Sequence, residues 1–277
     1  MSGRMEQGQW LERIVRAKRA ELEQCRRQVP QSKLEQSIRP QPAGAFRTAI
    51  VVPRDSPLSY SIIAELKQAS PSRGILCSEY DPAAIARRYQ QAGARALSVL
   101  TDREFFRGSL DDLKAVKATT ALPVLRKDFT LADYHLYEAA AAGADAVLLI
   151  VAILKPEELL RLLAVSRVLG LDAVVEVHTA EELRVAVDAG AEIIGINNRD
   201  LNTFAVSLET SLRLIDSIPD PVVAVSESGL RNAGDLERLR AAGFDAFLIG
   251  ERFLTEPDPG AALECLLSEA ATRITVH

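Results

Sequence analysis

Four times along this chain a small-residue helix end, a glycine and an apolar run follow one another. They are Ala92-Gly93-Ala94 before Ala96-Leu97, Ala142-Gly143-Ala144 before Ala146-Val147, Ala189-Gly190-Ala191 before Ile193-Ile194, and Ala242-Gly243-Phe244 before Ala246-Phe247. A glycine that ends a helix adopts the left-handed conformation without a Cβ penalty, so each copy marks a helix running directly into a strand. The glycines lie 50, 47 and 53 residues apart, about two βα units per interval, so the pattern marks every second strand. Four such pairs make eight strands.

The runs are short, rich in Val and Ile and bounded by turn residues, as strands buried on both faces of a parallel sheet are. Strands are expected at 60–66, 95–100, 122–126, 145–150, 173–177, 193–196, 222–226 and 246–249. Helical spacing fills the intervals. One such stretch is opened by Asp81-Pro82, an N-cap oxygen followed by a proline at the first helical position, and another by Lys155-Pro156-Glu157-Glu158. This alternation predicts an α/β chain closed into a (β/α)8 TIM barrel of about 210 residues, compact enough to require short loops. An open doubly wound sheet would want Gly-x-Gly-x-x-Gly after the first strand, and none follows Leu66.

Residues 1–58 differ in character. Leu11, Ile14, Val15 and Leu22 share a helical face, which predicts an amphipathic helix covering part of the barrel. Lys18 interrupts that face, its alkyl stem expected along apolar surface. Segment 29–58, with Pro30, Pro40, Pro42, Pro53 and Pro57, reads as a linker, and residues 1–9 as disordered. The expected division is thus an N-terminal helical extension and linker, 1–58, packed on a barrel, 59–277, in one structural domain.

With 48% hydrophobic and 26% charged residues, the chain can bury one large core. A net charge of −5 argues against nucleic acid as a partner, since phosphate neutralisation needs clustered basic surface. Cys25, Cys77 and Cys265 form no C-x-x-C pair, which excludes a thiolate metal site and suits a reducing cytoplasm. The most apolar segment, 146–154, is about half a membrane span, and no signal-peptide pattern opens the chain. A cytoplasmic protein without membrane contact is expected.

Five of the runs end in polar clusters: Glu65-Leu66-Lys67, Arg126-Lys127-Asp128, Glu176, Asn197-Asn198-Arg199 and Ser226-Glu227-Ser228. Parallel strands closed in a ring bring these ends together at the face where barrel enzymes work. Because residues i and i+2 of a strand share a side, Glu65 and Lys67 point together while Leu66 turns to the helix layer. The rim therefore offers two lysines as acids or oxyanion stabilisers and several glutamates as bases. An ion-pair network that only holds the rim together is the bland alternative. Five charged residues in one ring at this face favour chemistry. Ser228-Gly229 after the seventh strand and Gly250-Glu251 after the eighth stand where such barrels cradle phosphate on backbone N–H groups. His178 shares the side of Glu176 and reads as an ordinary histidine. With His135 in a helix and His277 at the terminus there is no metal-ligand set.

The segment Ile63-Ala64-Glu65-Leu66-Lys67-Gln68-Ala69-Ser70-Pro71-Ser72 resembles the signature of the indole-3-glycerol phosphate synthase family of tryptophan biosynthesis. The resemblance continues through Leu100-Thr101-Asp102, Phe105-Phe106-Arg107-Gly108-Ser109, Leu125-Arg126-Lys127-Asp128-Phe129, Val175-Glu176-Val177-His178, Gly195-Ile196-Asn197-Asn198-Arg199-Asp200-Leu201 and Ser226-Glu227-Ser228-Gly229, and covers 59–267. It implies a lyase that closes the pyrrole ring of 1-(2-carboxyphenylamino)-1-deoxyribulose 5-phosphate, releasing carbon dioxide and water, with no metal or organic cofactor.

On that resemblance Lys127 is the general acid of ring closure and Glu176 the general base of dehydration. Lys67 binds the substrate carboxylate or assists dehydration, and Glu65 orients the lysines. Asn197, Arg199 and Glu227 complete the polar site, and Phe106 and Phe129 pack against the anthranilate ring. Ser70, Ser228, Gly229, Gly250 and Glu251 line the phosphate pocket. Where some members carry serine this chain has Glu251, whose carboxylate would repel phosphate, so only its backbone N–H is expected to serve. Association with other enzymes of the tryptophan pathway is left open. A related barrel, phosphoribosylanthranilate isomerase, would carry Cys and Asp where Glu65 with Lys67 and Glu176 stand. A catalytically silent barrel would lack the acid or the base.

Overall fold

A computed structural model of the chain describes residues 9–39, 42–52, 60–71, 73–77, 79–201 and 203–274. Most of the segment expected to be disordered, together with Pro40, Pro53, Pro57, Ser72 and His277, lies outside the described residues.

Eight strands, β1 Ser61–Leu66, β2 Ala96–Leu100, β3 Val124–Lys127, β4 Ala146–Ile150, β5 Asp172–Val177, β6 Ile193–Asn197, β7 Val223–Glu227 and β8 Ala246–Ile249, close into a parallel barrel in sequential order. Every expected strand is present, with ends shifted by at most two residues. Gly93, Gly143, Gly190 and Gly243 have φ of 96°, 86°, 75° and 116°, the left-handed helix ends that the repeat implied. Asp81 caps the helix Pro82–Gln91 by accepting from the Ala84 N–H at 3.0 Å.

Two apolar layers result. Ile62, Ala64, Leu66, Val99, Val147 and Ile194 pack outward against the helices, while Ile63, Leu125, Val174 and Val225 fill the barrel. The alternation is that of a strand buried on both faces.

Segment 29–58 is not the plain linker expected. It contains helix α2, Gln31–Ser37, and helix α3, Ala45–Ile50, numbered after the N-terminal helix α1, Gln9–Gln28. Phe46 and Ile50, one turn apart on α3, are fully buried within the barrel core. The Arg47 N–H donates to Asp172 at the start of β5 at 2.9 Å, which seats α3 on the N-terminal end of the barrel. The surrounding prolines hid a two-residue apolar anchor that is too short to register as periodicity.

Helix α1 lies at the opposite end. Trp10 meets Phe105 and Phe204 edge-on at 6.4 and 5.8 Å, and Leu11 and Ile14 face the cavity above the strands. Lys18 does not lay only its stem along apolar surface. Its ammonium is buried, 3.0 Å from Asp102 and 2.9 Å from Asp128. Burial opposes that charge, but the two carboxylates more than compensate and hold the lysine protonated.

Candidate active site

Glu65 on β1, Lys127 on β3, Glu176 on β5 and Glu227 on β7 stand in one layer around the barrel axis, all from odd-numbered strands. Two residues below each lies Ile63, Leu125, Val174 or Val225. Packing of a small barrel in layers of four from alternate strands fixes this arrangement, and the top layer happens to be charged. Even strands make room for it. A Cβ on Gly195 of β6 would clash with Oε1 of Glu227, and one on Gly250, just past β8, would lie 2.5 Å from Oε1 of Glu65.

Lys127 Nζ donates to Glu176 Oε2 at 3.0 Å and to Glu227 Oε2 at 2.8 Å. Lys67 Nζ donates to Glu65, so that carboxylate orients one lysine directly and reaches Lys127 only through its field. Burial disfavours charge on every member. For Glu176 the attraction of Lys127 and His178 wins, and its carboxyl stays below the usual range. For Glu227 burial wins, aided by repulsion from Glu176, and its carboxyl is pushed up to about 7. Lys127, though buried, is held well above the ordinary lysine value by Glu176 and Glu227. The layer thus contains an ionised carboxylate, a carboxyl poised near neutrality, and a cation between them.

The layer floors a cavity of about 950 Å³. One wall is apolar, formed by Leu11 and Ile14 of α1 with Phe106 and Phe129, whose rings lie 6.3 Å apart. Ser70, Ser228, Gly229, Gly250 and Glu251 also line the cavity. Ser228 and Gly229 both take positive φ, 66° and 83°, and a Cβ on Gly229 would meet Val206 at 2.5 Å, so this turn requires its glycine. Asn198 ties the turn down, its amide donating to the Glu227 and Ser228 carbonyls at 3.0 and 3.1 Å. Asn197 hydrogen-bonds Glu176 and accepts from the Arg199 N–H at 3.0 Å.

The structure therefore brings every residue expected at the site to one cavity, adds Arg73 to its lining, and sets His178 behind Glu176. Arg73, beyond the turn after Ser70, lies 3.0 Å from the Glu251 carboxylate, which also accepts from Arg199 at 3.1 Å. That carboxylate faces two guanidiniums, which removes the repulsion anticipated for a phosphate. His178 is not an ordinary histidine. Its Nε2 lies 3.5 Å from Glu176 Oε1, and Glu182 Oε2 is 3.2 Å from its Nδ1. Its position two residues beyond Glu176 was the signal for it, and Arg73 had only its nearness to Ser70.

A family model described as indole-3-glycerol phosphate synthase matches residues 11–266. The chain belongs to that family. The indole-3-glycerol phosphate synthase of Chloroherpeton thalassium is 48% identical over 89% of this chain and 95% of its own length. That of Carboxydothermus hydrogenoformans is 43% identical over 94% and 100%. Among solved structures, a thiamine phosphate pyrophosphorylase from Pyrococcus furiosus matches with a TM-score of 0.58 over 79% of this chain and 98% of its own, at 16% identity. A mandelate oxidase matches with a TM-score of 0.60 over 92% and 94%, at 19% identity. Those two likenesses are of fold alone. The indole-3-glycerol phosphate synthase model spans α1 as well as the barrel, so the helix that closes the apolar wall belongs to the family's pattern. Among the described residues no helix is long and apolar enough to cross a membrane.

Proposed function

We propose that the protein converts 1-(2-carboxyphenylamino)-1-deoxyribulose 5-phosphate to indole-3-glycerol phosphate, carbon dioxide and water in the cytoplasm, with the charged layer performing the acid and base steps. The observation that carries this reading is Lys127, a cation fixed at the cavity floor between two carboxylates of unequal acidity. Lys127 protonates the ketone oxygen as the aromatic ring carbon attacks it, and loss of carbon dioxide from that carbon restores the ring. Glu176 then takes a carbon-bound proton while the hydroxyl leaves as water with a proton from Lys67. The Glu176 to Lys127 hydrogen bond offers a path by which the proton gained returns to Lys127, and solvent returns to Lys67 the one proton that loss of carbon dioxide from a carboxylate consumes.

The apolar wall suits the anthranilate ring and the loops after β7 and β8 suit the phosphate, with Ser70, Arg73 and Arg199 nearby. Free cysteines and the absence of a C-x-x-C pair support a reducing compartment. Purified protein mixed with the substrate in the presence of a chelator is expected to produce indole absorbance. Lys127→Ala is expected to fold, bind substrate and lose turnover. A variant retaining more than about a tenth of wild-type kcat would mean that Lys127 contributes under about 1.4 kcal/mol and that the acid lies elsewhere, with Lys67 next in line.

A further inference from the structure

Two buried carboxylates compete for Lys127, and nothing in that contact alone determines which one accepts the substrate's proton: their distances to Nζ are 3.0 and 2.8 Å. What distinguishes them lies behind the layer. Glu176 accepts from Lys127 at Oε2 and hydrogen-bonds Asn197, and its Oε1 faces His178 Nε2 at 3.5 Å. The remaining oxygen of Glu227, Oε1, has no hydrogen-bond partner and abuts Gly195. His178 is itself fixed from the far side. Glu182, on the helix Ala180–Asp188, accepts from the His178 backbone N–H at 2.7 Å and lies 3.2 Å from ring Nδ1. A carboxylate at Nδ1 keeps a proton on that nitrogen and sets the ring plane, leaving Nε2, buried and unpartnered, aimed at Glu176. His178 does not line the cavity, so it acts through Glu176 and not on substrate.

From this geometry we propose that His178, anchored by Glu182, is a positioning residue that selects Glu176 over Glu227 as the proton acceptor. It does so by setting a buried ring nitrogen 3.5 Å from the second oxygen of Glu176 and, when protonated, by placing a second cation against it. The charged groups acting on His178 are Glu176 on β5, which ends just before it, Glu182 on the following helix and Glu227 on β7. All three are acidic, and together they outweigh the burial that disfavours the imidazolium. The proposal rests on Glu176 being the base.

The test is the pH dependence of kcat for wild type, His178→Ala, His178→Gln, Glu182→Gln and Glu176→Gln, with folding followed by circular dichroism. Removing a cation beside a carboxylate raises its pKa, so the acid limb of kcat should move upward in His178→Ala, by about one pH unit, whereas Glu182→Gln keeps the imidazole and should leave the limb near its wild-type position. Their kcat near pH 7 should fall about tenfold with KM little changed. His178→Gln keeps a donor but no charge, and should regain part of kcat while leaving the limb displaced. Glu182→Gln alters a partly exposed helix residue, so its result stands even if His178→Ala fails to fold. An acid limb at the wild-type position in folded His178→Gln, or wild-type kcat in folded Glu182→Gln, would overturn the proposal. Wild-type turnover by Glu176→Gln would instead remove the reading on which it rests, and the two failures are thereby distinguished.

Discussion

Gly195→Ala tests the layer by a single methyl group. Gly195 lies mid-strand in β6, paired in register with Glu176 on one side and Val225 on the other, and its φ is not in the left-handed region, so alanine fits the backbone. The new Cβ clashes with Oε1 of Glu227 and lies 3.2 Å from that side chain's Cδ and 3.2 Å from Val174 Cγ1. A carboxylate is the end of a flexible side chain and can yield, by roughly 1 Å, to ordinary contact distance. That shift is enough to lengthen the 2.8 Å bond from Lys127 beyond hydrogen-bond range. Loss of one charge-assisted hydrogen bond is worth about 1.5–3 kcal/mol, and misplacement of a reacting group by 1 Å costs on the order of a hundredfold in rate. The expected outcome is a folded enzyme whose kcat falls roughly ten- to a hundredfold, with a melting temperature within a few degrees of wild type. Steady-state kinetics by indole absorbance and calorimetry measure both quantities. A kcat within about threefold of wild type would refute the reasoning, because the Glu227 to Lys127 contact would then have no part in turnover.

Three further outcomes are expected. Glu251→Ser frees Arg73 and Arg199 for the substrate phosphate, so KM should fall, by less than about tenfold; a large rise would mean the carboxylate is needed to hold Arg199 in place. Glu227 has its folded-state pKa raised to about 7, so the folded protein holds a proton there that the unfolded chain has released, and this group lowers stability increasingly as pH rises from the ordinary carboxyl range through 7. Glu227→Gln should therefore raise the melting temperature most near pH 8 and least near pH 4.5, and a uniform gain across that range would contradict the assignment. Lys18→Met removes a buried cation from Asp102 and Asp128 and should cost about 3–5 kcal/mol, seen in calorimetry as a melting temperature lower by several degrees, whereas an unchanged value would mean that α1 is held by its apolar contacts alone.

The barrel was legible because each strand is an apolar run and every second one also follows a glycine that ends the preceding helix. The strand ends also placed Glu65, Lys127, Glu176 and Glu227 correctly, since a period of two and a closed ring leave no other common face. Features carried by pairs too short to form a pattern were missed. Phe46 and Ile50 are one turn apart in a proline-bounded segment, and the antiparallel pairing of Ala69–Ser70 with Gly74–Ile75 is two residues a side. Lys18 was misread because a lysine on an apolar face ordinarily snorkels. Its true partners, Asp102 and Asp128, are some 84 and 110 residues distant and lie beside it only once the barrel has closed. Arg73 and His178 are likewise defined by what reaches them from other elements.

Whether the charged rim is a brace or a reaction centre can be decided within one strand. Arg126, Lys127 and Asp128 are consecutive at the end of β3, and alternation sends them to two different networks. Outward, Arg126 donates to Thr101, Asp128, Glu138 and the His135 carbonyl, while Asp128 also accepts from Thr101 at 2.6 Å and pairs with Lys18. No side-chain polar atom of Lys18, Thr101, Asp102, Arg126 or Asp128 is left buried without a partner, and Asp128 is held far below the usual carboxylate range despite its burial, drawn down by Arg126 and Lys18. That is what a brace looks like, since a buried network stabilises only when every member is satisfied. Inward, Lys127 meets two carboxylates, Glu227 keeps an unpartnered oxygen and is pushed toward its protonated form, and His178 presents an unpartnered nitrogen. The same strand builds a complete network on one side and an incomplete one on the other, and Lys127, Glu176 and Glu227 of the incomplete one all line the cavity, where the complete one contributes Asp128 alone. Selection for stability alone would have closed both, so the open inner network fits a layer whose charges, Lys127, Glu176 and Glu227, are kept for a ligand in the cavity that they line.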